Sequence, residues 1–210
     1  MSNQYEFVSH WRVDGTCGEV ADILGDPLAF VRWWPSVYLD VEEVRPPDAR
    51  GLGRRVRFHT KGWLPYTILW ESEIVESRYP QGFTIVASGG FDGRGVWTFE
   101  QDGRSVEVTY DWRLRAEKPL LRNLSFLLKP LFEANHRWAM AQGEESLKLE
   151  LLRRRAASDA ARISVPPPPG PGHICGHRVG RWCRGGRSGA GVPDHPSATS
   201  VRLKPGTTYR

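Results

Sequence analysis

Glu71 and Glu73 stand two residues apart in a stretch that alternates apolar and polar side chains, so both carboxylates fall on one face of a strand. Such a pair in a dry site would have one pKa raised and could exchange protons with a substrate. Ile68, Trp70 and Ile74 take the opposite face, which assigns the pair to a solvated outer surface. His59 alternates with Arg55 and Arg57 and belongs on the same kind of face. His136 is the one histidine expected near an interior, as a structural group or a proton carrier. Gly89-Gly90 and Gly93-Arg94-Gly95 are glycine-rich, yet neither a helix nor a Lys-Ser/Thr pair follows them, as a phosphate loop requires. They are expected to permit a bend or bulge. His173, Cys175, His177 and Cys183 offer four soft ligands, but zinc sites usually place a longer loop between two ligand pairs. No metal and no cofactor is implied, and no catalytic residue stands out.

The elements that must position these groups begin with a strand from Tyr5 to Val13, with Tyr5, Phe7, Trp11 and Val13 on one face. Thr16 and Glu19 have capping-box spacing and open a helix that ends near Gly25. Asp26-Pro27 opens a second short helix that must stop before Pro35. Strands follow at 37–44, 54–60, 67–76, 83–89 and 94–101, with a last one from Val106 to Ala116. The Asp92-Gly93 and Asp102-Gly103 pairs are read as hairpin turns. Pro119 to Leu128 is read as a short helix or turn, and Pro130 as the first residue of a long helix ending near Arg155. Glu133 with Arg137, and Glu144 with Lys148, mark its solvent stripe. The opposite stripe holds Phe132, Asn135, Ala139, Gln142, Gly143, Ser146 and Leu149. These side chains are small or polar. They would leave room between helix and sheet, and Asn135, Gln142 and Ser146 could hydrogen-bond something held there.

Charge is divided along the chain. Residues 156–210 carry eight Arg and Lys against two Asp, whereas residues 1–155 carry 21 basic and 22 acidic side chains. The net charge of +5 is therefore no sign of a nucleic-acid surface on the first 155 residues. No basic and apolar leader precedes the first strand, and no apolar run reaches the roughly 18 residues that span a bilayer. Three cysteines, an odd number, suit a reducing cytoplasm. The expected organisation is a domain over 1–155 and a disordered Pro/Gly/Arg-rich tail over 156–210.

Gly25-Asp26-Pro27 with Val31-Arg32-Trp33-Trp34-Pro35, then Gly53-Arg54-Arg55-Val56, Gly93-Arg94-Gly95-Val96-Trp97 and the long C-terminal helix occur in an order that resembles the START-like, Bet v 1-like helix-grip superfamily. The resemblance is to its polyketide cyclase/dehydrase and lipid transport branch and spans roughly residues 4–155. It implies an α+β fold in which a curved seven-stranded antiparallel sheet grips the long helix around an elongated cavity for an apolar ligand.

Within that frame Trp70, Trp97, Tyr110 and Trp112, with Phe99, are more aromatic surface than a small core needs, and some should line the cavity. Trp63 and Tyr66 lie between two strands, as a lid over the mouth or as a hydrophobic turn. Phe132, Asn135, His136, Ala139 and Gln142 would face the guest from the helix. The expected function is carriage or sequestration of a hydrophobic or amphipathic small molecule, such as a lipid or aromatic polyketide. The alternative is a cyclase or dehydratase acting on such a guest.

Overall fold

Seven strands form one antiparallel sheet in the order β1-β7-β6-β5-β4-β3-β2. They are β1 (Gln4–Asp14), β2 (Tyr38–Arg45), β3 (Arg55–Lys61), β4 (Thr67–Ser77), β5 (Gly82–Gly89), β6 (Asp92–Asp102) and β7 (Ser105–Arg115). This is a computed structural model, and it describes residues 4–90, 92–115 and 119–171. Between β1 and β2 lie α1 (Cys17–Leu24), a 3-10 turn (Pro27–Ala29) and α2 (Phe30–Trp33). After the sheet come α3 (Pro119–Arg155) and α4 (Asp159–Ser164). The expected curved sheet, two short helices after the first strand and long helix at the end are all present.

Local chemistry accounts for most boundaries. Thr16 and Glu19 form the capping box: the Glu19 N–H donates to Thr16 Oγ1 at 3.3 Å, and the Thr16 N–H donates to Glu19 Oε2 at 2.9 Å. α2 stops at Trp33, two residues before Pro35, as the proline demands. β6 and β7 are joined by a two-residue turn at Gly103-Arg104, where Gly103 adopts a φ of +58°. Asp92-Gly93 is not the other turn. Both residues lie inside β6, paired with Arg115 and Leu114 of β7, so the β5–β6 connection sits earlier in the chain. Two-residue turn chemistry was present in the dipeptide, but the ladder to β7 claimed it. Pro130 does not begin the long helix either, because α3 runs through it from Pro119. A proline removes one helical N–H, and here the helix continues on both sides of the gap.

The second half of α3 carries the tight packing. Leu147, Glu150 and Leu151 are buried there with Gly143 and Ser146. This face meets β1, α1 and α2. Two ion pairs bolt it in place. Glu150 accepts two hydrogen bonds from Arg32 of α2, at 3.0 and 2.8 Å, and Arg155 donates to Glu19 of α1 at 2.6 Å. Past Arg155, the residues assigned by composition to a flexible tail include α4, capped by Ser158, and a proline run. Arg153 donates to the carbonyl of Pro166 in that run. The four candidate soft ligands between His173 and Cys183 lie outside the described residues. Among the described residues no helix is long and apolar enough to cross a membrane.

Candidate functional site

Around Phe132–Met140, α3 packs on β1 through His136 and Phe7 and leaves an open space against the other strands. The space beneath it is a cavity of about 880 Å³, within the range of small-molecule sites. Alternation along each strand decides its lining. On β3, Val56, Phe58 and Thr60 point inward; on β4, Trp70, Ser72 and Ile74 do so; on β6 and β7, Trp97, Tyr110 and Trp112 do so. From α3, Phe132, Asn135, His136, Ala139 and Met140 close the other side.

The wall is aromatic and ordered. Trp97 and Tyr110 stack at 4.0 Å between ring centroids with planes 17° apart, and Trp112 follows Tyr110 at 5.7 Å and 19°. Trp70 continues the row toward Phe58, at 5.9 Å from Trp112 and 4.7 Å from Phe58. Gly95 makes this possible. A Cβ there would lie 2.7 Å from the Tyr110 hydroxyl and 2.9 Å from the Trp112 ring. Trp70 Nε1 donates to Thr60 Oγ1 at 3.1 Å, which satisfies the indole within the wall. Tyr38 faces this row from β2, with its ring 4.7 Å from Phe30 and 5.1 Å from Trp34.

A few polar groups interrupt the apolar surface. The hydroxyls of Tyr38, Tyr110 and Ser72 line the cavity without a hydrogen bond to protein among the described residues. Burial pushes both phenols above their ordinary pKa, and for Tyr110 the neighbouring Tyr38 and Asp111 add to it. Both are therefore neutral donors at ordinary pH. His136 stacks on Phe7 at 4.6 Å, and its Nε2 lies 3.3 Å from Ser9 Oγ. Burial lowers its pKa to about 4, so the imidazole is neutral. At the far end lies Arg54. Its Nε donates to Glu43 at 2.8 Å and its Nη1 to the Gly25 carbonyl at 3.5 Å.

The β3–β4 connection borders the cavity through Gly62 and Tyr66. Leu64 N–H donates to Asn135 Oδ1 at 3.4 Å, and Gly62 sits so close to Asn135 that no Cβ would fit. Asn135 therefore spends its carbonyl oxygen on the loop while its side chain borders the cavity. Tyr66 lines the cavity, partly in solvent, whereas Trp63 is 42% exposed and does not line it. Gln142 is also apart from the lining, buried one turn farther along α3. The remaining nine residues expected to meet a guest come together around one hollow.

Glu71 and Glu73 are on the outer face, as their alternation required. Glu71 pairs with Arg57 at 2.8 Å, and Glu73 with Arg55 at 2.7 Å and Arg45 at 2.6 Å. Among the described residues no group of His, Cys, Asp or Glu is placed to hold a metal ion. Sequence reasoning overlooked Tyr38, Phe58, Ser72 and Arg54 as lining residues. Phe58 was legible from its alternation with Val56. Tyr38 was hidden because β2 shows no clean apolar period, with a burial pattern that is exposed at most positions.

The chain matches no family model and no curated protein sequence. Its fold is shared with solved structures. Zhui aromatase/cyclase from Streptomyces sp. R1128 superposes with a TM-score of 0.60 at 16% identity, over 74% of this chain and 98% of that one. TTHA0849 from Thermus thermophilus gives 0.57 at 17% identity, over 68% and 97%. The di-domain ARO/CYC BexL from the BE-7585A biosynthetic pathway gives 0.52 at 14%, over 70% of this chain and 49% of that one. At these identities the likeness is one of fold. The chain shares with these structures the helix-grip α+β fold, a seven-stranded antiparallel sheet with a long helix after it.

Proposed function

We propose that the protein binds a hydrophobic or amphipathic small molecule in the cavity under α3, for carriage or sequestration. One observation carries this reading: a hollow of about 880 Å³ with an aromatic wall, into which three hydroxyls project without protein partners among the described residues. A guest burying about 300 Å² of apolar surface gains roughly 7 kcal/mol before the cost of association is subtracted. Tyr38, Tyr110 and Ser72 would set its orientation, with Arg54 at the far end. The stacked row of Trp97, Tyr110 and Trp112 suits a flat ring system better than a simple acyl chain. Two fold neighbours are named as aromatase/cyclase or ARO/CYC proteins, which agrees with a ring-containing guest.

The unpaired, buried Cys17 is in keeping with work in a reducing compartment, which we take to be the cytoplasm. The near-neutral charge of residues 1–155 speaks for a small-molecule partner over a nucleic acid.

A second reading, an enzyme of the cyclase or dehydratase kind, draws on the neutral His136 imidazole and the two phenols at the cavity wall. Native mass spectrometry of protein purified from its source tests both. Carriage predicts a co-purifying apolar compound that is released unchanged. Catalysis predicts that a bound compound loses water or gains a ring on incubation, and that His136→Ala stops the change. Protein that takes up nothing apolar from a source extract contradicts both readings.

A further inference from the structure

Seven buried polar side-chain atoms have no hydrogen-bond partner among the described residues, and six of them belong to β1, to α2 and the residues just after it, and to α3. Trp33 and Trp34 stack at 5.5 Å at the end of α2, and Trp11 of β1 approaches Trp34 at 5.7 Å. The Trp34 ring presses on Gly143 of α3. Gln142 is the residue before that glycine, Ser146 lies one turn beyond it, and Ser36 follows Trp34 by two residues. All six residues are 6% exposed or less.

The orphaned atoms are complementary. Three are indole N–H groups, which can only donate; the others are the hydroxyls of Ser36 and Ser146 and the Oε1 of Gln142, which can accept. None reaches another. Buried polar groups in native proteins are nearly always satisfied, by protein or by ordered water. An anion here would need a free cation. Arg32, Arg153 and Arg154 close the seam at one end, but all three are turned onto Glu150. A metal cation would meet three N–H dipoles. A small neutral molecule that both donates and accepts fits the set.

We propose that ordered water occupies this seam, bridging the indoles of Trp11, Trp33 and Trp34 to Ser36, Gln142 and Ser146. The site is distinct from the guest cavity and does not depend on the function proposed above. It touches the cavity only through Trp34, which lines it. The water joins α2 to α3, which the Arg32–Glu150 pair also ties together.

Two measurements on the full chain test this. In NMR, the indole protons of Trp33 and Trp34, assigned by Trp33→Phe and Trp34→Phe, should show direct cross-relaxation with water. Ser146→Ala should shift these two resonances and leave that of exposed Trp63 in place. A high-resolution crystal structure should show water peaks within hydrogen-bond distance of the six atoms. Indoles silent toward water, or a crystal in which the six groups pair with one another or face a dry gap, would overturn the proposal. The wild-type measurements decide the matter even if the variants do not fold.

Discussion

Ala139 and Gly143 sit one turn apart on α3, and adding carbon at each should have opposite consequences. Ala139 borders the cavity, whereas Gly143 is pressed against the Trp34 ring with no room for a Cβ. Ala139→Phe places about 100 Å² of new apolar surface in the hollow, worth about 2.5 kcal/mol at about 25 cal/mol per Å². Ordering the new side chain takes back roughly 1 kcal/mol. The variant should be about 1.5 kcal/mol more stable than the parent. Gly143→Ala gains about 1 kcal/mol of helix propensity but must push Trp34 aside, and overpacking costs about 1–3 kcal/mol. The net is a loss of about 1 kcal/mol. The gap of about 2.5 kcal/mol corresponds to roughly 1 M between the urea midpoints, read by tryptophan fluorescence. If Ala139→Phe is destabilised as much as Gly143→Ala, the space under α3 is not available and the reasoning fails.

Glu150→Ala removes a carboxylate that is 1% exposed and leaves Arg32, Arg153 and Arg154 facing one another. A loss of about 3 kcal/mol in urea unfolding is expected; a loss within error of zero would show that the cluster is not holding α2 to α3. Hydrogen bonds from Arg155, chiefly, lower the Glu19 pKa to about 2. Its stabilisation should be complete above the ordinary carboxylate pKa and fade as pH falls toward 2. Glu19→Gln should therefore differ from the parent at neutral pH and converge with it in acid, and a constant difference would contradict the pairing. His136 should titrate near pH 4 by NMR, because burial disfavours its charged form. Acid below its ordinary pKa of 6.5 then favours the unfolded chain, and a midpoint near 6.5 would place the ring in solvent.

Alternation made the sheet legible. Val106, Val108, Tyr110 and Trp112 announced the inner face of β7, and Glu71 and Glu73 the outer face of β4, because a period of two leaves no choice once one face is dry. The helical stripe was legible to about one residue. Phe132, Asn135 and Ala139 border the hollow, but farther along Leu147, Glu150 and Leu151 take the buried side. Glu150 could not be read as interior, since its burial depends on Arg32, more than a hundred positions away. Asp92-Gly93 misled for a related reason. Pairing with Arg115 and Leu114 drew the dipeptide into β6, and a local turn signal holds no information about that partner. Tyr38 and Arg54 were missed because both stand at strand ends, where periodicity is weakest.

Above all, the hollow beneath α3 should accept an apolar guest. Titration with 1-aminoanthracene, followed by energy transfer from the cavity tryptophans, tests it most directly. Binding should saturate at one probe per chain, be abolished in Ala139→Phe and be retained in a Trp63→Ala control. Signal that rises without saturation, or that survives unchanged in Ala139→Phe, would contradict it.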